Sequence, residues 1–194
     1  MYSYLPTLLM VGTLGSLVAA DNIYTYVKPG CAGSAFFFKD IDHNVCALSI
    51  TSNSTTSIAD AIAKNVTLVH SSKLEVQETG KKQFIGWDQG PDSNSDGLLQ
   101  CGHIIVNKAV KDRETCIDGT LHGVSWTEPG DDKRKRDAFT CSGSTEPDAV
   151  FLNGKHYTTN GIPEEDAGRL KELVFTDGND VPNDLLKYEF TPNV

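Results

Sequence analysis

The cysteines constrain the fold of this chain more than any other feature of its sequence. Four of the five form two pairs with the same gap of 15 residues, Cys31 with Cys46 and Cys101 with Cys116. None of the spacings is the C-x-x-C typical of zinc or thioredoxin-like sites. The cysteines therefore indicate a disulfide framework formed in an oxidising compartment.

Two connectivities of this framework are compatible with the sequence. The nested one joins Cys31 to Cys116 and Cys46 to Cys101, and the local one joins the two members of each pair. The fifth cysteine, Cys141, is left over, either as a buried free thiol or as a bridge to a second chain.

The first twenty residues have the composition of a secretory signal peptide. Segment 1–20 carries no charged side chain, holds an apolar stretch from about Leu8 to Val18 and ends in small residues. This stretch is too short to span a bilayer, and no later apolar run is long enough. We therefore expect a secreted, extracellular protein that begins near Asp21 and has no membrane span once the signal is removed.

Two triplets agree with passage through the secretory pathway. Asn53-Ser54-Thr55 and Asn65-Val66-Thr67 are acceptors for N-glycosylation. The sequence thus predicts a glycoprotein with sugars at Asn53 and Asn65.

The charge of the chain narrows its possible partners. It holds 17 Lys and Arg against 26 Asp and Glu, for a net charge of −9. A general nucleic-acid binder needs a basic surface to neutralise phosphates, so we expect no nucleic-acid binding. An extracellular protein or glycan is the expected partner.

A run of four basic residues divides the chain by composition. Lys133, Arg134, Lys135 and Arg136 form either a processing site for a dibasic-cutting convertase or a solvated charge cluster. Segment 21–132 reads as a β-rich, disulfide-stabilised domain. Segment 137–194 reads as an acidic α+β part, with eleven acidic and four basic side chains.

Short strands dominate the pattern in segment 21–132. Val, Ile, Thr and aromatic residues cluster between Gly, Asp and Asn, as in Ile23–Val27 and Ala35–Lys39. Residues 73–78 alternate, which places Leu74 and Val76 inside. A short helix is predicted to begin at Ser57, with Asp60 closing a capping box.

The C-terminal segment adds a hairpin and a helix. Asn153-Gly154 between two apolar runs fits a type I′ turn. Pro163 and three acidic residues begin a helix that runs to Val174, and residues 185–190 form a strand or a helical turn. The fold class predicted is mainly β, a sandwich or small barrel of short antiparallel strands, with one or two short helices and a small α+β C-terminal part.

One loop resembles the opening half of a calcium site. Asp92, Asn94 and Asp96 fall on alternate residues and Gly97 follows, so their oxygens can face one hard cation. The bidentate Glu of an EF-hand is replaced by His103. The alternatives are a free-standing calcium loop, used by a calcium-dependent carbohydrate- or wall-binding module, and a polar turn.

Catalytic motifs are scarce in the sequence. It holds no Gly-x-Ser-x-Gly elbow, no His-Glu-x-x-His helix and no phosphate loop. His103 and His122 are the candidates for a secreted hydrolase of ribonuclease type, because disulfide pairing of the nearby cysteines brings them close. Trp87 and Trp126 are either a sugar platform or buried aromatics.

The ensemble of features is similar to one broad class of proteins. A signal peptide, the run Cys-Ala-Gly-Ser-Ala-Phe-Phe-Phe after a Tyr-rich strand, widely spaced cysteines and a Lys-Arg run resemble small secreted fungal proteins, many of them effector-like. The resemblance implies an extracellular protein that acts on a host, a competitor or the cell wall, usually without catalysis. We therefore expect an effector-like or toxin-like interaction protein rather than an enzyme, with no cofactor other than calcium.

Overall fold

The architecture was obtained from a computed structural model of the 194-residue chain. The residues that the structure describes are 21–48, 69–91, 98–128, 141, 143–176 and 180–192. The helix predicted at Ser57 and the calcium loop lie outside them. So do the glycosylation acceptors and the basic run.

The described part of the chain is built mostly of strands. The strands are Asn22–Tyr26 (β1), Ala35–Phe38 (β2), Val45–Leu48 (β3), Val69–Glu75 (β4), Gln83–Pro91 (β5), Leu98–Ala109 (β6), Glu114–Leu121 (β7), Gly123–Thr127 (β8), Gly143–Thr145 (β9), Ala149–Leu152 (β10), Lys155–Thr158 (β11) and Glu189–Phe190 (β12). One α-helix, Glu164–Phe175 (α1), and one 3₁₀ turn, Leu186–Tyr188, complete the elements described.

These strands form two sheets. The larger has the order β12-β11-β10-β2-β1-β4-β7, and the smaller has the order β6-β5-β8-β3-β9. The mainly β prediction is confirmed, in its sandwich form and with a small helical part. One pair departs from the antiparallel pattern, because β3 and β9 run parallel.

The main core lies between the two sheets. Phe36 and Leu74 of the larger sheet share one apolar cluster with Phe84 and Val124 of the smaller sheet, all of them fully buried. Helix α1 packs against β2 and β10, and Leu170 joins the same cluster. Burial of this apolar surface is the main term that stabilises such a fold.

Local sequence signals agree with several elements. Leu74 and Val76 are both buried, as the alternation predicted. Asn153 and Gly154 have φ of 49° and 80°, the positive values that a type I′ turn requires. Pro163 immediately precedes α1. Residues 185–190 hold both predicted forms, a 3₁₀ turn followed by the short strand β12.

The chain crosses from one sheet to the other at His122. Sequence patterning predicts one strand over residues 121–126, but β7 ends at Leu121 in the larger sheet and β8 begins at Gly123 in the smaller. His122 is the single residue between them, and its backbone N–H donates a 2.9 Å hydrogen bond to the backbone oxygen of Trp87 on β5.

Two disulfides staple the sandwich in the nested pattern. Cys31 pairs with Cys116, and Cys46 pairs with Cys101, with Cα–Cα distances of 6.1 and 6.4 Å. The local connectivity is therefore not formed. Within the described residues, no helix is both long and apolar enough to cross a bilayer.

The second bridge shows that the end of the β5–β6 hairpin bends over its own sheet. Cys46 lies on β3 and Cys101 on β6, three places apart in the strand order, yet the two are bonded. The β5–β6 pairing has irregularities between Gly86 and Trp87 and between Asp88 and Gly90. Such bulges bend a strand and increase its twist, which lets the hairpin end reach across β8 to β3.

Candidate functional site

A carboxylate and two imidazoles meet where the hairpin bends. Asp88 Oδ1 lies 2.9 Å from His122 Nδ1. On the opposite strand, His103 is the direct cross-strand partner of Asp88. Side chains at such positions lie on the same face of the sheet, so the His103 imidazole shares a face with the Asp88 carboxylate.

The two imidazoles differ in their access to solvent. The His122 side chain is 10% exposed, whereas His103 is exposed and the Asp88 side chain is 48% exposed. Both ring nitrogens of His122 are buried and make no hydrogen bond. The Nδ1 atom is close enough to Asp88 Oδ1 for an ion pair, but the angles between the two groups are not those of a hydrogen bond. Only His103 is placed to meet a substrate from solvent.

A cluster of three sulfurs includes Cys101, which lies two residues before His103 on β6. The Sγ atoms of Cys46, Cys101 and Cys141 are all within 4.8 Å of one another. The first two form the bridge between β3 and β6, and Cys141 is a free thiol two residues before β9. Parallel pairing of β9 with β3 brings this thiol to the bridge.

Burial controls the ionisation of the free thiol. It raises the pKa of Cys141 to about 11, and a hydrogen bond with Ser125 acts weakly in the opposite direction. Ser125 Oγ also accepts a 2.9 Å hydrogen bond from Trp87 Nε1. The thiol is therefore protonated at neutral pH and held against β8.

Gly123 makes room for the bridge. A Cβ atom at this position would lie 2.6 Å from both Cys46 Sγ and Cys101 Sγ, far inside van der Waals contact. Its neighbour Val124 belongs to the main core, so the sulfurs lie on the outer face of the smaller sheet. The absence of a side chain at Gly123 is what allows the disulfide to cross β8.

The edge of the smaller sheet carries two exposed apolar side chains. Ile104 and Ile105 of β6 are 39% and 46% exposed. Trp87 pairs with Ile104 and Gly86 with Val106, so Ile105 is the extra residue of a bulge. In the part of the chain that the structure describes, β6 is the edge strand and hydrogen-bonds with β5.

The structure places some of the other predicted site residues and leaves several outside its described part. Trp87 and Trp126 are buried, and their indole N–H groups donate to Ser125 Oγ and Ile41 O, so they present no open sugar platform. The predicted residues outside the described ranges are Asn53, Asn65, Asp92, Asn94, Asp96, Lys133, Arg134, Lys135 and Arg136.

Sequence reasoning missed the role of two residues. It did not connect Asp88 with the histidines, whereas the structure places its Oδ1 2.9 Å from His122 Nδ1 and pairs it with His103 across the β5–β6 hairpin. It considered Cys141 alone or between chains, whereas its sulfur adjoins a bridge within the chain. The local periodicity of the sequence predicts neither contact. Each joins residues that are far apart in the sequence or that lie on opposite strands of a hairpin.

The chain matches the model of a protein family. The model of ARB_05566_N, described as an N-terminal domain, matches residues 22–148, about two thirds of the chain. The matched range contains both disulfides and strands β1 to β9. No curated protein and no solved structure matches. The match and the two bridges fit the resemblance to small cysteine-containing fungal proteins.

Proposed function

Since the chain belongs to the ARB_05566_N family, we propose that it is a secreted, extracellular interaction protein that binds another protein and performs no catalysis. It would act in an effector-like or toxin-like manner on a host, a competitor or the cell wall. The observation that carries the proposal is the exposed apolar pair on the edge strand, Ile104 and Ile105.

The edge strand suits an extended segment of a partner protein. β6 runs for 12 residues, and its outer side faces away from β5. An edge strand presents rows of backbone N–H and C=O groups, and a partner segment can add to them as a further strand. The two isoleucines add apolar contact, and Ile105 is itself the bulged residue.

The framework around β6 supports such a role. The Cys46–Cys101 bridge fixes the strand to β3, so β6 loses little conformational freedom when a partner binds. Pre-organised surfaces of this kind bind more tightly because less ordering is needed on association.

Position-specific cross-linking tests the docking strand. We would place a benzophenone amino acid at position 104 and, as a matched control, at position 186, since Leu186 is 42% exposed on the 3₁₀ turn. A cross-link to one extracellular protein is expected from position 104 and not from position 186. Equal cross-linking from both positions contradicts the proposal.

A peptide test then separates strand addition from general stickiness. The cross-linked segment of the partner, made as a synthetic peptide, should bind the chain and lose binding to an Ile104→Asp variant. N-methylation of the peptide amides that face β6 should also abolish binding, because strand addition uses main-chain N–H groups. Binding that survives N-methylation excludes this mode.

One observation favours a second function, a secreted hydrolase of ribonuclease type. Asp88, which contacts His122 and pairs across the hairpin with His103, belongs to a set with the residue types of a general acid–base site. In this role His103 would exchange protons with the substrate, and Asp88 would orient the imidazoles. The test is cleavage of single-stranded RNA by the purified protein, compared with a His103→Ala variant. Cleavage lost in the variant favours the enzyme, and no cleavage by either protein excludes it.

A further inference from the structure

The three sulfurs of Cys46, Cys101 and Cys141 bring a free thiol to a formed disulfide. All three Sγ atoms lie within 4.8 Å of one another, although they come from β3, from β6 and from the residues before β9. A thiol in contact with a disulfide can attack one of its two sulfurs as the thiolate. The other sulfur of the disulfide then leaves, so the step involves three sulfurs in all. The bridge in this cluster is the one that holds the docking strand β6 to β3.

We propose that this cluster is a thiol–disulfide exchange site, in which Cys141 attacks Cys46 and releases Cys101. The product has a bridge from Cys46 on β3 to Cys141, two residues before the neighbouring strand β9, and a free thiol on β6. The exchange would therefore release the bent end of the β5–β6 hairpin from its covalent staple.

The reaction balances without an added oxidant or reductant. The Cys141 thiol loses its proton, and its thiolate forms a new bond to Cys46 Sγ. The Cys46–Cys101 bond breaks, and its electron pair leaves with Cys101 Sγ. The Cys101 thiolate then takes up a proton from water, so that one disulfide and one thiol exist before and after the step.

Burial of the two bridge sulfurs decides which one leaves. Cys46 is buried, with 1% of its surface exposed, whereas Cys101 is partly exposed. The better-solvated sulfur forms the more stable thiolate, and the more acidic thiol leaves faster. Strand pairing favours the same product, since β3 and β9 are hydrogen-bonded neighbours whereas β3 and β6 are not.

Burial of Cys141 keeps the exchange slow at neutral pH. Its neighbours are the bridge sulfurs, from β3 and β6, and the Ser125 hydroxyl, from β8, whose hydrogen bond acts in the opposite direction. With its pKa raised to about 11 by burial, the thiol is almost fully protonated near neutrality. The thiolate is the nucleophile. As long as the pH is below the pKa, the exchange rate should therefore increase about tenfold for each unit by which the pH is raised.

Disulfide mapping of the full-length secreted protein tests the proposal. The protein is incubated without reductant or oxygen at about pH 7 and about pH 9, quenched with acid, alkylated and digested under non-reducing conditions. We expect a Cys46–Cys141 peptide together with alkylated Cys101, formed about 100-fold faster at the higher pH. A Cys141→Ser variant should keep only the original bridge.

Two outcomes of this mapping overturn the proposal. In one, Cys46–Cys101 persists at every pH and Cys141 is always the alkylated residue. In the other, the new bridge joins Cys101 to Cys141, which reverses the assigned leaving group.

A second pair of variants tests specificity without relying on base. In Cys101→Ser, treatment with glutathione disulfide should form Cys46–Cys141, because the two remaining sulfurs of the cluster are adjacent. In the matched control Cys116→Ser, the freed Cys31 should not pair with Cys141. Equal pairing of Cys141 with Cys31 and with Cys46 would contradict a localised exchange site.

Discussion

Lys82 donates a hydrogen bond to a carboxylate oxygen of Asp21, and the pair is buried at the start of β1. The Asp21 side chain is fully buried, and the Lys82 ammonium also lies 4.4 Å from the centroid of the Trp126 ring. An isolated charge in such a place is costly, so each partner is tolerated because the other is present. The contact joins the residue before β1 in the larger sheet to the residue before β5 in the smaller sheet.

We predict that Lys82→Met lowers the free energy of unfolding by about 3–5 kcal/mol, because it leaves the Asp21 carboxylate buried without a cation. Urea denaturation at neutral pH measures the change. The matched control is Lys155→Met, which removes an ion pair to Glu189 whose two side chains are both exposed. The control should unfold at nearly the wild-type urea concentration, and an equal loss in both variants would contradict the prediction.

Local chemistry explains why part of the fold follows from sequence. Asn153-Gly154 forms its hairpin turn through its own backbone conformation, and Leu74 and Val76 are buried through simple alternation. Pro163 likewise marks the start of α1 through its fixed φ. Each of these signals lies within a few residues of the feature that it predicts.

The candidate site depends on contacts that no local signal contains. His122 is a corner because Leu121 and Gly123 belong to different sheets, whereas their sequence continues one strand pattern. Cys141 reaches the bridge only through the parallel pairing of β9 with β3, about a hundred residues away in the chain. Such non-local pairings are set by the packing of the two sheets and not by the propensity of a short segment.

We predict that Gly123→Ala is incompatible with the Cys46–Cys101 bridge. The new Cβ would lie 2.6 Å from both sulfurs, so β8 must shift or the bridge must open. Overpacking of this kind costs about 1–3 kcal/mol or more. The measurements are the melting temperature and the number of titratable thiols, which should rise by two per chain where the bridge opens.

The control for that substitution is Gly143→Ala on β9. No heavy atom lies within 4 Å of the Cβ position at Gly143, so the added methyl meets open space. This variant should keep the wild-type thiol count and nearly the wild-type melting temperature. An unchanged melting temperature in Gly123→Ala would show that the bridge does not cross β8 at this point.

The Cys31–Cys116 bridge should be a major source of stability. It closes a loop of 85 residues and ties the turn after β1 to the edge strand β7. Replacing both residues with Ser should lower the free energy of unfolding by about 4–5 kcal/mol, because the unfolded chain regains the freedom of that loop. Urea denaturation checks the value, and Cys141→Ser, which removes no bridge, should change it far less.

We predict a loss of stability on mild acidification that depends on His156. Its ring packs among Phe37, Phe151 and Phe190 on the outer face of the larger sheet, and Nε2 lies 3.1 Å from the hydroxyl of Tyr24. Burial lowers the pKa of this imidazole below its usual 6.5, although Glu75 opposes the shift. The folded protein therefore holds His156 neutral at a pH where the unfolded chain is already protonated.

The sign of the effect follows from proton binding. Above about pH 6.5 both states are neutral at this residue and the full stability is present. As the pH falls below that value, the unfolded chain binds a proton first, so the free energy of unfolding decreases until the pH has passed the lowered pKa of the folded state.

Urea denaturation between pH 7.5 and 5 should show this decrease in the wild type, at roughly the pH range of an ordinary histidine. It should be much smaller in His156→Gln and unchanged in His70→Gln, whose site on β4 is exposed. The same decrease in all three proteins would assign the pH dependence to other groups.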